Sequence, residues 1–325
     1  MFMSRVRRVS ALALLAAGAF QFIGAPAFAQ DQTPSDCLII YGEIDKVIEN
    51  ISIENCPDAG IRISNSRGIT VRNVSINGTT GSGIFVERSE DITIEENTIS
   101  NNVTGVYTVF STGVTVQCNS ITNPRGPVPH GQFVQFDKAI GRNTIACNWG
   151  RNEAGAGLPE DAINLYQSVG AADGPIVVRN NFLVGGGPSE SGGGIMLGDG
   201  GGAYQDAFGN LLIDPGQYGI GVASGENMSV TNNTVIAKSQ PFTNVGIYVW
   251  NQYATACAGV EVSGNRVSWV NRDGVSNPYW DGANCEEIAT ALPNDFSYDQ
   301  SGASLAPPAE CQCEIHGWRD GVTAD

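Results

Sequence analysis

Asn50-Ile51-Ser52-Ile53 and Asn73-Val74-Ser75-Ile76 are two copies of one short pattern, an Asn followed by alternating apolar and polar residues. Such alternation predicts β-strands whose successive side chains point to opposite faces. The pattern returns at intervals of about 23 residues or more, which is typical of a protein built from stacked structural repeats. The later copies begin at Asn97, Asn119, Asn148, Asn181, Asn210, Asn233 and Asn265.

A second column of apolar segments lies upstream of the first column in each repeat. Gly60-Ile61-Arg62-Ile63 and Gly83-Ile84-Phe85-Val86 are its clearest members, so each coil contains at least two strands. If alternate residues point inward, Ile, Val and Leu stack about 4.8 Å apart in a continuous apolar core. The sequence therefore predicts an all-β parallel solenoid of about nine coils. Later members of the column lie at 105–107, 162–165, 194–197, 219–222 and 246–249.

The recurring Asn is interpreted as a structural residue. It follows a strand, and its side chain can bond to backbone groups of stacked turns while its neighbour adopts the left-handed conformation. This explanation needs no ligand.

These columns resemble the right-handed parallel β-helix repeat of pectate lyases, polygalacturonases, alginate-acting lyases and mannuronan epimerases. The resemblance spans residues 38–275. It implies a right-handed parallel β-helix and a polysaccharide or oligosaccharide partner. It leaves the reaction open, because the same repeat occurs in lyases, hydrolases, epimerases and non-catalytic binding proteins.

The first 29 residues have the pattern of a signal peptide. Arg5, Arg7 and Arg8 precede an apolar run over 11–23, and Ala27-Phe28-Ala29 is a small-x-small cleavage site. We expect a secreted or periplasmic mature protein, and no membrane insertion because no later apolar stretch reaches roughly 18 residues. The predicted domains are a signal peptide at 1–29, a β-helix at 30–283 and a C-terminal cap or flexible tail at 284–325.

The formal net charge of −16 makes nucleic acid an improbable partner, because binding to phosphates requires a basic surface. An acidic exported protein can also bind Ca²⁺, although surface repulsion that maintains solubility explains the same charge. We expect a monomer.

Eight cysteines, an even number, agree with export and predict disulfides. Cys118 and Cys147 each precede a recurring Asn, so we expect them on adjacent coils, as a bridge or a buried thiol stack. The other expected pairs are Cys37 with Cys56 and Cys257 with Cys285. Cys311, Cys313 and His316 form CxCxxH, which is half of a zinc ligand set; a disulfide or disorder is the alternative.

The second column also predicts an outward-facing strip in which aromatic and polar side chains alternate. Sugar rings stack on aromatic faces while their hydroxyls bind amides and carboxylates, so the strip is a candidate glycan site. Whether Phe133 or Val134 points inward is left open. The outward residues are Arg62, Phe85, Tyr107, Asn164, Met196, Gly221 and Tyr248, with Glu87, Tyr166 and Trp250 two residues further along.

Candidate site residues cluster where the middle coils carry long insertions, because loops on regular scaffolds commonly hold functional groups. Residues one coil apart become neighbours, so Asp161 and Asp199 are expected to approach each other and His130. The catalytic candidates are His130, Lys138, Asp161, Tyr166 and Asp199. The substrate-binding candidates are Gln132, Gln135, Arg142, Asn164, Tyr248 and Trp250, and the metal candidates, for Ca²⁺, are Asp137 and Glu160.

Three functions remain open. A lyase or C5-epimerase acting on a uronic-acid glycan is favoured, with the acids binding Ca²⁺ and His130, Lys138 or Tyr166 handling protons. A glycoside hydrolase would use Asp161 and Asp199 as paired carboxylates. A non-catalytic glycan-binding or envelope protein would use the strip only to hold sugar.

Overall fold

The computed structural model describes residues 32–189, 191–299, 305, 309–311 and 313. These residues form thirty short strands and no helix. The strands build three parallel sheets that wind into a solenoid, in which each strand pairs with its counterpart in the next coil. The predicted all-β parallel solenoid is confirmed.

The first sheet contains the strands that follow the recurring Asn residues, and its ten members pair in the order of the coils. They are β1 (Thr33–Ser35), β4 (Ile51–Glu54), β7 (Ser75–Asn77), β10 (Thr98–Ser100), β13 (Ser120–Thr122), β16 (Trp149–Arg151), β19 (Phe182–Val184), β22 (Leu211–Ile213), β25 (Thr234–Ala237) and β29 (Arg266–Trp269).

The second sheet contains the Gly-Ile column, and its outer face carries the candidate site. Its strands are β2 (Leu38–Tyr41), β5 (Ile61–Ser64), β8 (Ser82–Glu87), β11 (Thr104–Val109), β14 (Val134–Asp137), β17 (Ile163–Tyr166), β20 (Ile195–Leu197), β23 (Tyr218–Val222), β26 (Val245–Val249) and β30 (Tyr279–Asp281).

The third sheet precedes the Asn turn in each coil and completes the triangular cross-section. Its strands are β3 (Val47–Glu49), β6 (Arg67–Arg72), β9 (Glu90–Glu95), β12 (Thr115–Gln117), β15 (Asn143–Ala146), β18 (Ile176–Arg179), β21 (Ala203–Phe208), β24 (Gly225–Thr231), β27 (Cys257–Ala258) and β28 (Glu261–Ser263). Both β27 and β28 pair with β24.

The core follows from the alternation along each strand. In the second sheet, Ile61 pairs with Ile84 and Ile84 with Val106, and all three are fully buried. Phe136 pairs with Leu165 on the same inner face. Phe133 and Val134 are both buried, and it is Val134 that continues the inward column.

A ladder of Asn side chains lies along the turn between the third and first sheets. Each amide donates to the Oδ1 atom of the next Asn, as from Asn119 to Asn148 and from Asn181 to Asn210, both at 3.0 Å. The amide of Asn181 also donates to the carbonyl of Ile145. The structural role predicted for the repeated Asn is confirmed.

The first two copies of the Asn are offset from this ladder by one residue. Ser75 pairs with Thr98, so Asn73 is level with Glu96, and Val74 occupies the ladder position. Asn73 has a φ of 48°, so in the first coils Asn serves the left-handed turn instead. The ladder starts at Asn97 and ends at Asn294, which the sequence pattern did not reveal.

The cysteines form four disulfides, and the structure corrects two expected partners. Cys37–Cys56 and Cys257–Cys285 are confirmed. Cys118 and Cys147 do not pair with each other.

Cys118 bonds to Cys313 and Cys147 to Cys311, with Cα–Cα distances of 5.4 and 5.6 Å. Cys118 and Cys147 occupy equivalent left-handed turns, both with φ of 55°, so they point the same way from adjacent coils. The CxC segment presents one sulfur to each. Its two cysteines are therefore not free to bind zinc, and His316 lies outside the described residues.

The C-terminal segment covers an apolar surface on the outside of the first sheet. Leu305 and Cys313 are buried there against Phe182, Leu211 and Ile213. The predicted signal peptide lies outside the described residues. Within the part of the chain that the structure describes, no helical segment has the length and apolar character needed to cross a bilayer.

Candidate functional site

A cleft of about 800 Å³ runs along the outer face of the second sheet. Its floor is one register column, in which Tyr107 pairs with Gln135, Gln135 with Asn164 and Asn164 with Met196. The column continues through Gly221, Tyr248 and Trp280. The outward strip predicted from the sequence is therefore a real surface, and its axis follows the solenoid.

Two carboxylates share one amide at the centre of the cleft. The Nδ2 atom of Asn164 donates to Oδ2 of Asp161 at 2.7 Å and to Oδ2 of Asp199 at 2.9 Å. Asn164 is itself oriented by Gln135, whose Nε2 donates to its Oδ1 at 3.2 Å. Asp161 precedes β17 and Asp199 follows β20, so adjacent coils bring together residues 38 positions apart. The predicted approach of these two acids is confirmed.

Asp161 is only 3% exposed and accepts hydrogen bonds from three donors. Besides Asn164, the backbone N–H of Gly193 donates to Oδ1 at 3.0 Å, and the hydroxyl of Tyr218 donates to the same oxygen. Burial raises the pKa of Asp161 to about 7, and the hydrogen bonds from Tyr218 and Asn164 oppose this shift. Glu160 and Asp199 add a smaller upward contribution to the pKa through like-charge repulsion. This acid therefore exchanges its proton near neutral pH.

Tyr218 reaches Asp161 across an intervening coil, and Gly193 makes the contact possible. These three residues occupy equivalent positions, two residues before the inward Ile163, Ile195 and Ile220. A Cβ atom on Gly193 would lie 2.7 Å from the Tyr218 ring. The glycine is required by close side-chain approach, since its φ is not in the left-handed region.

Two tyrosine hydroxyls bind the acid pair, and a third tyrosine packs beside them. Tyr253 donates to Oδ1 of Asp199 at 2.5 Å, and Tyr248 packs edge-to-face on Tyr218 with ring centroids 5.2 Å apart. Tyr248 crosses Gly221 to reach the Met196 sulfur. Burial raises the pKa of Tyr218, Tyr248 and Tyr253 well above the usual tyrosine value. All three remain protonated at neutral pH and act as hydrogen-bond donors.

Another acid lies at the end of the cleft nearer the N-terminus. Asp137 accepts a hydrogen bond from the Tyr107 hydroxyl at 3.0 Å and pairs with the Lys138 ammonium at 2.9 Å. Lys138 Nζ also lies 5.1 Å from the centroid of the Tyr166 ring. His130 contacts the edge of Tyr107, with ring centroids 5.9 Å apart. His130 and Tyr166 line the same cleft as the acid pair.

The carboxylates expected to bind Ca²⁺ have other partners. Glu160 accepts hydrogen bonds from the hydroxyls of Ser189 at 2.8 Å and Ser191 at 2.5 Å, and Asp137 is paired as described. Among the described residues, no three His, Cys, Asp or Glu side chains gather in a way that could hold a metal ion. Ca²⁺ at Asp137 and Glu160 stays a prediction.

Comparisons with known proteins agree on the fold. A family model described as a right handed beta helix region matches residues 38–149. Together with the three stacked parallel sheets, this match shows that the chain folds as a right-handed parallel β-helix. The resemblance recognised from the repeat columns is confirmed. The sequence itself matches no curated protein.

Two solved structures illustrate the likeness of this β-helix protein to others. The periplasmic alginate epimerase AlgG is 15% identical with a TM-score of 0.48, over 77% of this chain and 68% of that one. The catalytic domain of a GH87 alpha-1,3-glucanase in complex with tetrasaccharides is 14% identical with a TM-score of 0.50. That match covers 76% of this chain and 54% of the glucanase chain. At 14% identity the likeness to the glucanase concerns the fold alone, and no conclusion is based on the likeness to the epimerase.

The β-helix brings most of the predicted site residues into one cleft. Gln132 and Gln135 are almost fully buried in its floor, and Tyr248 and Trp250 lie in its far half. Lys138 does not line the cleft itself but pairs with Asp137 at its edge. Arg142 does not join the cleft: it precedes β15 of the third sheet, and its guanidinium donates to the carbonyl of Asp173. A loop after β14 carries it around the corner of the coil.

Sequence reasoning missed Tyr218, Tyr253 and Trp280. Tyr218 stands two residues before the inward Ile220, as Asp161 does before Ile163, so aligning this position across coils would have found it. Trp280 continues the outward column beyond Tyr248. Tyr253 lies in a loop, and no repeat signal marks it.

Proposed function

We propose that this protein is a glycan-cleaving hydrolase in which Asp161 and Asp199 are the paired carboxylates. The observation that carries the proposal is the shared Asn164 amide. Because Nδ2 of Asn164 donates both hydrogen bonds, the Oδ2 atoms of Asp161 and Asp199 lie no more than about 5.6 Å apart. This is close to the roughly 5–5.5 Å between the carboxyl groups of retaining glycosidases, and below the roughly 6.5–9.5 Å of inverting ones.

The environments of the two acids suit them to different roles. Asp161 is buried and has a pKa of about 7, which suits a group that protonates the leaving oxygen. Asp199 lies at the more exposed side of the pair and would attack the anomeric carbon as that C–O bond breaks. Water would then cleave the glycosyl ester while Asp161, now a base, takes the proton from the water. The Tyr253 hydroxyl positions Asp199 for this role.

The cleft lining suits sugar. Tyr107, Tyr166, Tyr248 and Trp250 provide aromatic surfaces, and amides and hydroxyls lie between them. A β-helix of the same fold binds tetrasaccharides in its crystal, which is in keeping with a glycan substrate.

The test is release of reducing ends from a panel of neutral and acidic polysaccharides. Asp161→Asn and Asp199→Asn are each expected to lower kcat about 10²–10⁴-fold, with Asp58→Asn, an exposed acid outside the cleft, as the matched control. The short carboxylate spacing predicts retention of anomeric configuration, which NMR of early products measures. Turnover that survives both cleft substitutions would contradict the proposal, and binding without any turnover would identify a glycan-binding protein instead.

A lyase or C5-epimerase acting on a uronic-acid glycan is the second candidate. His130, Tyr107 and Tyr166 favour it, since they supply proton-transfer groups near Lys138, the cation at the cleft rim. Unsaturated ends seen by ultraviolet absorbance would indicate a lyase, and uptake of solvent deuterium at C5 an epimerase. Both assays run with Ca²⁺ and with a chelator test the predicted cofactor. Loss of either activity in His130→Ala would support this candidate over hydrolysis.

We also propose that the protein is exported. All eight cysteines are in disulfides, which form and persist in oxidising compartments such as the periplasm or the medium. Fractionation of the native host, followed by N-terminal sequencing, tests the predicted cleavage after Ala29.

A further inference from the structure

We infer that the cleft takes a neutral, extended glycan and anchors it on a two-tryptophan platform, Trp250 and Trp280, two to four coils from the acid pair. The effect expected on hydrolysis rests on the proposed function, whereas the effect expected on binding does not.

The two indoles form a preorganised surface. Trp250 and Trp280 are 42% and 45% exposed. Their rings pack edge-to-face, with an interplanar angle of 64° and ring centroids 5.7 Å apart. Trp250 is supported from below by the chain at Gly282, where a Cβ atom would lie 2.7 Å from its ring. Large exposed aromatics that are held rigidly lose little entropy on binding, and their free faces are apolar surfaces suited to stacking on pyranose rings.

The platform lies in the same cleft as the acids but on other coils. From Asn164 the column passes through Met196, Gly221 and Tyr248 to Trp280, which is four coils, or about 19 Å at about 4.8 Å per coil. Trp250 is nearer, two coils or about 10 Å along the axis from the coil of Asp199. A single sugar cannot touch both Asp199 and the platform, so the platform would act only on a longer chain lying along the solenoid axis.

The charge of the cleft argues against a polyuronate. The described lining residues include four carboxylates, Asp137, Glu160, Asp161 and Asp199, and neither Lys nor Arg. The nearest cation, Lys138, is already paired with Asp137. A chain with one carboxylate per sugar would meet the negative charge of Glu160, Asp161 and Asp199 in the half of the cleft that holds the acids, with no Lys or Arg among the described lining residues to offset it, which costs binding free energy and slows encounter. A neutral glycan avoids both penalties.

The experiment measures binding of matched-length neutral and uronate oligosaccharides to the full mature protein, by calorimetry at low and at moderate salt. The Asp199→Asn variant is used so that turnover does not interfere. We expect the neutral ligand to bind at least about tenfold more tightly, and Trp280→Ala and Trp250→Ala each to weaken its binding about tenfold. Trp250→Phe should lose less. Tyr41→Ala, which removes an aromatic that is 71% exposed on the first coil and outside the cleft, is the matched control.

Chain length provides the second readout. In the active protein, Trp280→Ala should raise KM for long chains by at least about tenfold more than it raises KM for a short chromogenic glycoside. Equal or tighter binding of the uronate ligand, or wild-type affinity in both tryptophan-to-alanine variants, would overturn the inference. If no glycan is ever hydrolysed but neutral chains bind through the two tryptophans, the proposed hydrolase fails and the inference stands.

Discussion

At the scale of single residues, the site depends on one buried acid and on the glycines that let aromatic side chains reach it. Asp161 is almost fully buried among hydrogen-bond donors, and burial dominates its pKa. Tyr218 and Tyr248 each cross a coil because Gly193 and Gly221 have no side chains there. Gly193 and Gly221 thus affect the chemistry of the cleft only by leaving space for the tyrosine side chains.

Asp161 should make folding stability depend on pH. Its folded pKa of about 7 lies above the unfolded value of about 3.9. The folded state therefore binds the extra proton, and this contribution to stability is lost as the pH rises from about 4 to 7. Asp161→Asn should therefore become more stable relative to wild type as the pH rises across that window. The gain in unfolding free energy should be about 1.4 kcal/mol per unit of pKa difference, which is a few kcal/mol in total.

Thermal melts of Asp161→Asn and wild type at pH 4, 5.5 and 8 measure this difference. Asp36→Asn, an exposed acid outside the cleft, is the control and should show no such trend. A difference in Tm between Asp161→Asn and wild type that stays constant with pH would count against a raised pKa.

Gly193→Ala should separate Tyr218 from Asp161. The new Cβ atom would meet the Tyr218 ring at 2.7 Å and its backbone carbonyl at 2.6 Å, so the ring must move away. We expect at least a tenfold loss of kcat/KM and a shift in the alkaline limb of the pH profile, where the general acid Asp161 loses its proton. Tyr218→Phe, which removes only the hydroxyl, should reproduce the pH shift. If Gly193→Ala has the same kcat/KM and the same pH profile as wild type, the contact between Tyr218 and Asp161 is not part of the site.

At the scale of the repeating elements, the Asn ladder couples one coil to the next. Buried amides bond in series from Asn97 to Asn294 and satisfy backbone groups that the turns leave without partners. The three sheets depend on this edge, because every coil turns there from the third sheet into the first. The ladder thus joins successive coils by hydrogen bonds, as the apolar core joins them by packing.

Asn181→Ala should be strongly destabilising. The side chain is fully buried, donates to Asn210 and to the Ile145 carbonyl, and accepts from Asn148. Alanine leaves these groups unpaired, at about 1–3 kcal/mol each. Denaturant unfolding should show a loss of about 3 kcal/mol or more.

The control for the ladder is Asn101→Gly. Asn101 is exposed and has a φ of 56°, a left-handed conformation that glycine adopts freely. The unfolding free energy of the Asn101→Gly variant should therefore differ from wild type by less than about 1 kcal/mol. If Asn181→Ala and Asn101→Gly lowered the unfolding free energy equally, the ladder would contribute no more to stability than an exposed turn.

At the scale of the whole molecule, two disulfides fasten the C-terminal segment onto the solenoid. Cys311 and Cys313 are 164 and 195 residues from their partners. The segment covers Phe182, Leu211 and Ile213, apolar residues that would otherwise face water. It closes a lateral face of the β-helix, whereas the cleft lies on another face.

Replacing Cys311 and Cys313 by Ser should uncover this face. We expect the unfolding free energy to fall by about 4 kcal/mol or more, since native disulfides contribute about 2–5 kcal/mol each, and binding of a hydrophobic dye to rise at temperatures below Tm. The Cys37→Ser, Cys56→Ser double variant removes a disulfide from the first coil and is the control for dye binding. Unchanged dye binding after the C-terminal replacements would indicate that the face stays covered by other means.

The repeat alone was enough to predict the stacking. Alternating Ile and Val, the spaced Asn residues and the Gly-Ile column determine which side chains face the core, and therefore that Asn164, Met196 and Tyr248 lie in one outward column. The approach of Asp161 to Asp199 follows from the same register, because parallel pairing converts separation by one coil into contact.

Only the tertiary structure decided what lies across coils or beyond the repeat. The partners of Cys118 and Cys147 come from a C-terminal segment with no repeat signal, and Arg142 leaves the cleft because a loop turns the chain onto another sheet. Tyr218 reaches Asp161 only because Gly193 leaves space between them. Hydrogen-bonded register is a local, periodic property that sequence can encode visibly, whereas loop paths and side-chain crossings depend on packing that is specified by no single segment.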